Sequence, residues 1–196
     1  MKKKLWRLAL LTGCLALGSS LSGTTLAVSV ASPAMLSNTC NGCHGTDGSS
    51  AGASNPTIAG LSVDYFETAM KQFRSGERPS TIMGRLAKGY SDEQLKAMAE
   101  AFAAKKFVRA KQTFDADKAA AVKELHAKRC NMCHAQGGAN SGAGGVLAGQ
   151  WKEYLHITLA EYRAGKRKAP ELMAKRMEGL SDADFEALIN YYASQQ

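Results

Sequence analysis

The chain has 196 residues, of which 45% are hydrophobic, and its 25 Lys and Arg against 17 Asp and Glu give a formal charge of +8. The basic residues are interspersed with acids and form no single stripe, which excludes a nucleic-acid surface. Five cysteines in so short a chain demand a chemical role of their own.

In chain order, Met1-Lys2-Lys3-Lys4 and Arg7 precede an apolar, small-residue run from Leu8 to about Ala27. This is the pattern of a secretory signal, with cleavage expected after Ala31 and Ala27 as the alternative. Residues 1–31 are therefore assigned to export, and the mature chain to the periplasm. Thr, Gly and Ser interrupt the run too often for a membrane span. Leu11-Thr12-Gly13-Cys14 resembles a lipobox, so lipid anchoring at Cys14 is a minor alternative; the apolar stretch before it is short and holds Arg7. Cleavage lowers the charge to +4 and removes Cys14, leaving Cys40, Cys43, Cys130 and Cys133.

Those four fall in two pentapeptides, Cys40-Asn41-Gly42-Cys43-His44 and Cys130-Asn131-Met132-Cys133-His134. A bare C-x-x-C suits a redox dithiol or half a zinc site. The trailing His, present twice, specifies the attachment of c-type haem, with each thiol on one vinyl group and the imidazole on the iron. Two covalent haem c groups are expected, with His44 and His134 as the proximal iron ligands. Their propionates bring up to four negative charges, which takes the holoprotein towards neutrality.

Each motif leads into a stretch rich in Gly, Ser and Asn, Gly45 to Gly60 and Gly137 to Gly149, which reads as loop. Met83 and Met173 each follow their histidine by 39 residues. A Met in a helical protein is ordinarily adaptable core filling, but matched separations from two haem motifs assign Met83 and Met173 as distal thioether ligands. Met177 is the rival in the second half, though its counterpart in the first is Ala87. His126 and His156 have no counterparts there.

Ser91-Asp92-Glu93-Gln94 predicts a capping box, after which Leu95, Met98 and Phe102 share a helical face. Ser181 opens the matching helix with the stripe Phe185, Leu188, Ile189 and Tyr192. A further helix is expected over Lys118–Arg129, burying Ala119, Ala121, Val122 and Leu125; its counterpart is the shorter Met35–Thr39. Cys40, Met83 and Ser91 recur 90 positions later, whereas Gly60, Tyr65 and the Phe73–Gly76 run recur 89 later. One residue is thus lost and regained within each half. An all-α chain of two tandem domains follows, 32–111 and 112–196, each too small to fold well without a haem in its core.

The runs Ser80–Ser91, Met35–Cys40, Ala110–Asp115, Leu147–Trp151 and Tyr192–Gln196 resemble the dihaem cytochrome c subunit of flavocytochrome c sulfide dehydrogenase, a tandem class I cytochrome c of the cytochrome c4 kind. The resemblance covers nearly the whole mature chain and is weakest over residues 166–179. It implies an electron-transfer subunit that takes electrons from an FAD-containing flavoprotein oxidising sulfide. An external acceptor such as a soluble c-type cytochrome then takes them on. FAD belongs only to the partner, since this chain has no G-x-G-x-x-G fingerprint, and no catalytic residue is expected here. The alternatives are a free-standing carrier of the cytochrome c4 type and, less favoured, a dihaem thiosulfate dehydrogenase or peroxidase. In cytochromes of this kind a Pro orients the proximal His through its carbonyl. Pro56 can do so, but Gly145 stands at the second site, so unequal reduction potentials are expected.

Overall fold

A computed structural model describes residues 31–140, 142 and 144–196, so the expected export segment before Ala31, with Cys14, lies outside the described residues. Their regular structure is entirely helical, as the sequence predicted. The first half contributes α1 (Pro33–Asn38), α2 (Asn41–His44), α3 (Val63–Ser75), α4 (Met83–Ala87) and α5 (Asp92–Ala103). The second contributes α6 (Ala116–Ala121), α7 (Lys123–Arg129), α8 (Ala135–Gly138), α9 (Lys152–Arg163), α10 (Glu171–Met177) and α11 (Asp182–Ala193). Among the described residues no helix is long and apolar enough to cross a membrane.

Local chemistry sets the boundaries. Ser62 caps α3 by accepting from the Tyr65 N–H, and Gly76, left-handed at φ 85°, ends it. Ser91 and Gln94 form the expected capping box on α5, and Ser181 with Asp184 repeats it on α11. The stripes behind these caps are buried as expected, with Leu95, Met98 and Phe102 in one half and Phe185, Leu188, Ile189 and Tyr192 in the other. The segment expected as one helix over Lys118–Arg129 is instead broken at Val122, where ψ rises to −3° between α6 and α7. Ala119 and Val122 are buried, but Ala121 is exposed, because at about 100° per residue it lies on the face of the helix opposite Ala119.

Each half has its own apolar cluster. Leu36, Phe66, Met70, Leu95, Met98 and Phe102 form one, with Phe66 stacked on Phe102 at 5.6 Å between ring centroids. Val122, Leu155, Leu188, Ile189 and Tyr192 form the other.

The same backbone pattern holds both loops. The Gly48 carbonyl accepts from the Ile58 and Ala59 N–H groups at 2.7 and 3.1 Å, and Gly60 N–H donates to the Phe102 carbonyl at 2.8 Å. In the second half the Gly138 carbonyl accepts from Leu147 and Ala148 at 2.8 and 3.1 Å, and Gly149 donates to Tyr192 at 2.8 Å. Gly48 (φ 77°) and Gly138 (φ 90°) are left-handed, and a Cβ on either would lie 2.8 Å from the Phe102 or Tyr192 ring. Only glycine lets the chain lie so close to the ring. The lost residue therefore falls between Gly48 and Ile58, in loop, where it leaves the helical register intact.

Residues 31–196 form one compact unit, and polar contacts close the seam between its halves. Gln150 is buried; its side-chain oxygen accepts from the Thr57 N–H at 2.9 Å while its amide donates to the Thr57 carbonyl at 3.0 Å. Trp151 Nε1 donates to the Ser50 carbonyl at 2.9 Å. Val146 of the second half packs into the apolar cluster of the first.

Candidate haem centres

In each pentapeptide the backbone makes one tight turn. The Cys43 and His44 N–H groups both donate to the Cys40 carbonyl, at 3.3 and 3.0 Å, and those of Cys133 and His134 donate to the Cys130 carbonyl at 3.2 and 2.9 Å. Two thiols and an imidazole therefore leave each turn together. Cys40 and Cys130 are half-buried, Cys43 and Cys133 exposed, and among the described residues none is in a disulfide. Burial pushes the Cys40 and Cys130 thiols up, which keeps them protonated before attachment. This donor set fits a covalently held haem c, which supplies a reversible one-electron iron couple when bound.

The two imidazoles are held differently. His44 is buried, and its Nδ1 donates to the Pro56 carbonyl at 2.8 Å, which leaves Nε2 as the free donor for an iron. Burial holds its pKa below the ordinary histidine value, with the Pro56 carbonyl opposing that shift. His134 Nδ1 is buried with no hydrogen-bond partner among the described residues. Gly145 occupies the place of Pro56 at φ 68°, and the preceding Gly144 lies so close that a Cβ there would collide with the His134 ring. Burial, then the neighbouring His126, holds His134 low as well, so both imidazoles are neutral near pH 7.

The two distal segments also differ. Met83 opens α4, which packs on α3, and its half-buried side chain rests against the first apolar cluster. Met173 is half-buried on α10, a helix with no fully buried residue. Met177, one turn on, lines a cleft of about 690 Å³ with Tyr162, Arg167, Leu180 and Phe185, and Met173 is not among its lining residues. α10 is tied down beside the second motif. Arg129 Nη1 donates to the Arg176 and Glu178 carbonyls at 3.3 and 2.8 Å, and Arg176 Nη1 to that of Lys128 at 3.2 Å. In the first half a hydrogen bond of 2.8 Å between the Thr39 and Tyr90 hydroxyls makes the corresponding link.

Of the remaining histidines, His126 has its buried Nε2 without a hydrogen-bond partner among the described residues. His126 is buried beside Tyr191 and Tyr192, 4.7 and 5.5 Å between centroids, and His156 Nε2 lies 3.4 Å from Glu186. Sequence reasoning overlooked Arg78 and Arg167, both buried. The repeat could have revealed them, since Gly76-Glu77-Arg78 and Gly165-Lys166-Arg167 share the offset of 89.

Residues 119–196 match the cytochrome c family. The chain is 52% identical over 68 residues to the cytochrome subunit of sulfide dehydrogenase from Chlorobaculum tepidum, a match covering 35% of this chain and 61% of that relative's length. It is 33% identical to the thiosulfate dehydrogenase electron acceptor of Stutzerimonas stutzeri, over 84% of this chain and 81% of the relative. The solved structure of cytochrome c4 from Pseudomonas stutzeri superposes with a TM-score of 0.69 at 26% identity, covering 79% of this chain and 92% of the other. The chain belongs to the dihaem cytochrome c electron carriers, the family related to cytochrome c4, the cytochrome subunit of sulfide dehydrogenase and the thiosulfate dehydrogenase electron acceptor.

Proposed function

We propose that this chain is the periplasmic electron-transfer subunit of a flavocytochrome c, taking electrons from an FAD-containing sulfide dehydrogenase subunit and passing them to a soluble c-type cytochrome. Two tandem domains, 32–111 and 112–196, each hold one haem c. Cys40 and Cys43 tether the first and Cys130 and Cys133 the second; His44 with Met83 and His134 with Met173 are the axial ligands. The carrying observation is the matched pair of turns, each delivering two thiols and a neutral imidazole, with a methionine 39 residues beyond each histidine. Six-coordinate iron suits electron transfer, because little reorganises and no position stays open to substrate. The chain's own work is to tether, orient the imidazole and exclude water. The 52% identity with a sulfide dehydrogenase cytochrome subunit supports the flavoprotein partner.

A second reading, service to a thiosulfate dehydrogenase, is favoured by the match over 84% of the chain. Purification of the native complex separates them. Flavin absorbance co-eluting with the haem bands, and their reduction on adding sulfide, supports the flavocytochrome. Reduction by thiosulfate through a flavin-free partner replaces it with the second reading.

A further inference from the structure

Arg78 and Arg167 occupy matched positions, two residues beyond the glycines that follow α3 and α9. They are only 6% and 7% exposed. Each guanidinium lies over the equivalent ring of its half, Arg78 4.6 Å from the Phe73 centroid and Arg167 4.5 Å from that of Tyr162. Arg78 also reaches across the seam, where its Nη2 donates to the Tyr154 hydroxyl at 2.8 Å. Burial pushes the Tyr154 phenol up, but Arg78 and then Arg167 outweigh it and hold the phenol below its ordinary value.

Among the described residues neither arginine has a carboxylate within ion-pair distance. Glu161 lies near both; burial pushes its carboxyl up against their pull, and it pairs with neither. Arg167 Nη1 is buried with no hydrogen-bond partner among the described residues, and Arg167 lines the cleft of about 690 Å³ that also holds Tyr162 and Met177. Buried cations are stable only beside anions, and a guanidinium fork matches a carboxylate. The carboxylates at the edge of a haem are anions of that kind.

Resting on the dihaem reading, we infer that Arg78, Arg167 and Tyr154 form one electrostatic unit across the seam. It receives a carboxylate from each haem, and Tyr154, a residue of the second half, positions Arg78 and thereby helps set the reduction potential of the first haem. A cation near a porphyrin disfavours the added positive charge of ferric iron, so it raises the potential. Were the halves electrostatically independent, no hydroxyl of one half would move the midpoint of the other.

Potentiometric titration of the purified holoprotein tests this, with Met83→His identifying the first haem by the midpoint it moves. Arg78→Gln and Tyr154→Phe both lower that midpoint, Arg78→Lys restores most of it, and Arg167→Gln lowers the other. Haem content by pyridine haemochrome is read on the same samples. Two equivalents with neither midpoint moved by Tyr154→Phe overturn the inference and leave the dihaem reading standing, as does a Tyr154→Phe shift confined to the second haem. Fewer than two equivalents in the unmodified protein overturn the dihaem reading itself. Should Arg78→Gln not fold, Tyr154→Phe and Arg78→Lys decide the matter by the same midpoints.

Discussion

Nδ1 of His44 donates to the carbonyl of Pro56 at 2.8 Å, whereas Nδ1 of His134 is buried without a partner among the described residues. Donation from Nδ1 makes the opposite nitrogen a stronger electron donor, and a stronger donor stabilises ferric iron. Two irons with otherwise similar ligands then differ in potential. The expected redox titration shows two resolved one-electron waves, with this contact favouring the lower midpoint for the His44 centre. A single wave with coincident midpoints would show that the imidazole contact has no electronic weight.

The distal ligands can be assigned one at a time. Met83→Ala removes about half of the sulfur-to-iron charge-transfer absorbance of the ferric protein. Met173→Ala removes the other half if Met173 is the second ligand. Because Met177 lines the cleft and Met173 does not, Met177→Ala is the decisive companion: the absorbance stays intact there for a Met173 ligand and is halved for a Met177 ligand.

Gln150 holds both backbone polar groups of Thr57 across the seam, and both residues are buried. Gln150→Ala strands a buried N–H and a buried carbonyl, each costing about 1–3 kcal/mol. A loss of about 2–4 kcal/mol in the denaturant-unfolding free energy of the holoprotein is expected. A change below about 0.5 kcal/mol, the scale of ordinary surface substitutions, would mean that water replaces the glutamine amide.

Asp92 is held below the usual carboxylate range, first by its hydrogen bond from Arg74 at 2.6 Å and then by the nearby charges. A depressed folded-state value means that the unfolded chain binds more protons in acid. The stabilisation is therefore present above about pH 4, the unfolded carboxylate value, and is lost as pH falls through the depressed folded value. Asp182 pairs with Arg163 at the matched position of the second half. Melting temperatures measured from pH 6 to 3 are expected to fall less steeply for Asp92→Asn than for the parent protein. Parallel curves would show the Arg74 pair to be energetically silent.

Much of this architecture is written locally. The pentapeptides name the prosthetic group because two thiols and an imidazole must leave a single turn. Ser91 and Ser181 declare their helices because a side-chain oxygen can satisfy an orphan N–H only at that position. The repeat offsets of 90 and 89 told that a residue is lost and regained within each half, and the structure puts the loss in loop, where it does not rotate a buried helical stripe by about 100°. The break at Val122 was not legible, because alanine-rich sequence favours unbroken helix and tertiary packing decided otherwise.

What the sequence alone determined is the inventory: two C-x-x-C-H pentapeptides, the two histidines that end them, helical halves and a repeat relating them. Only the tertiary structure decided which groups meet. It brought Met177 rather than Met173 to the edge of the cleft, whereas the Pro56 carbonyl on His44 and its lack at His134 had been expected from Pro56 and Gly145. It also joined Arg78 of one half to Tyr154 of the other, 76 residues apart in the chain. Periodicity reports which face of an element is buried, but contacts between distant residues depend on how two folded halves pack. No local pattern encodes that packing.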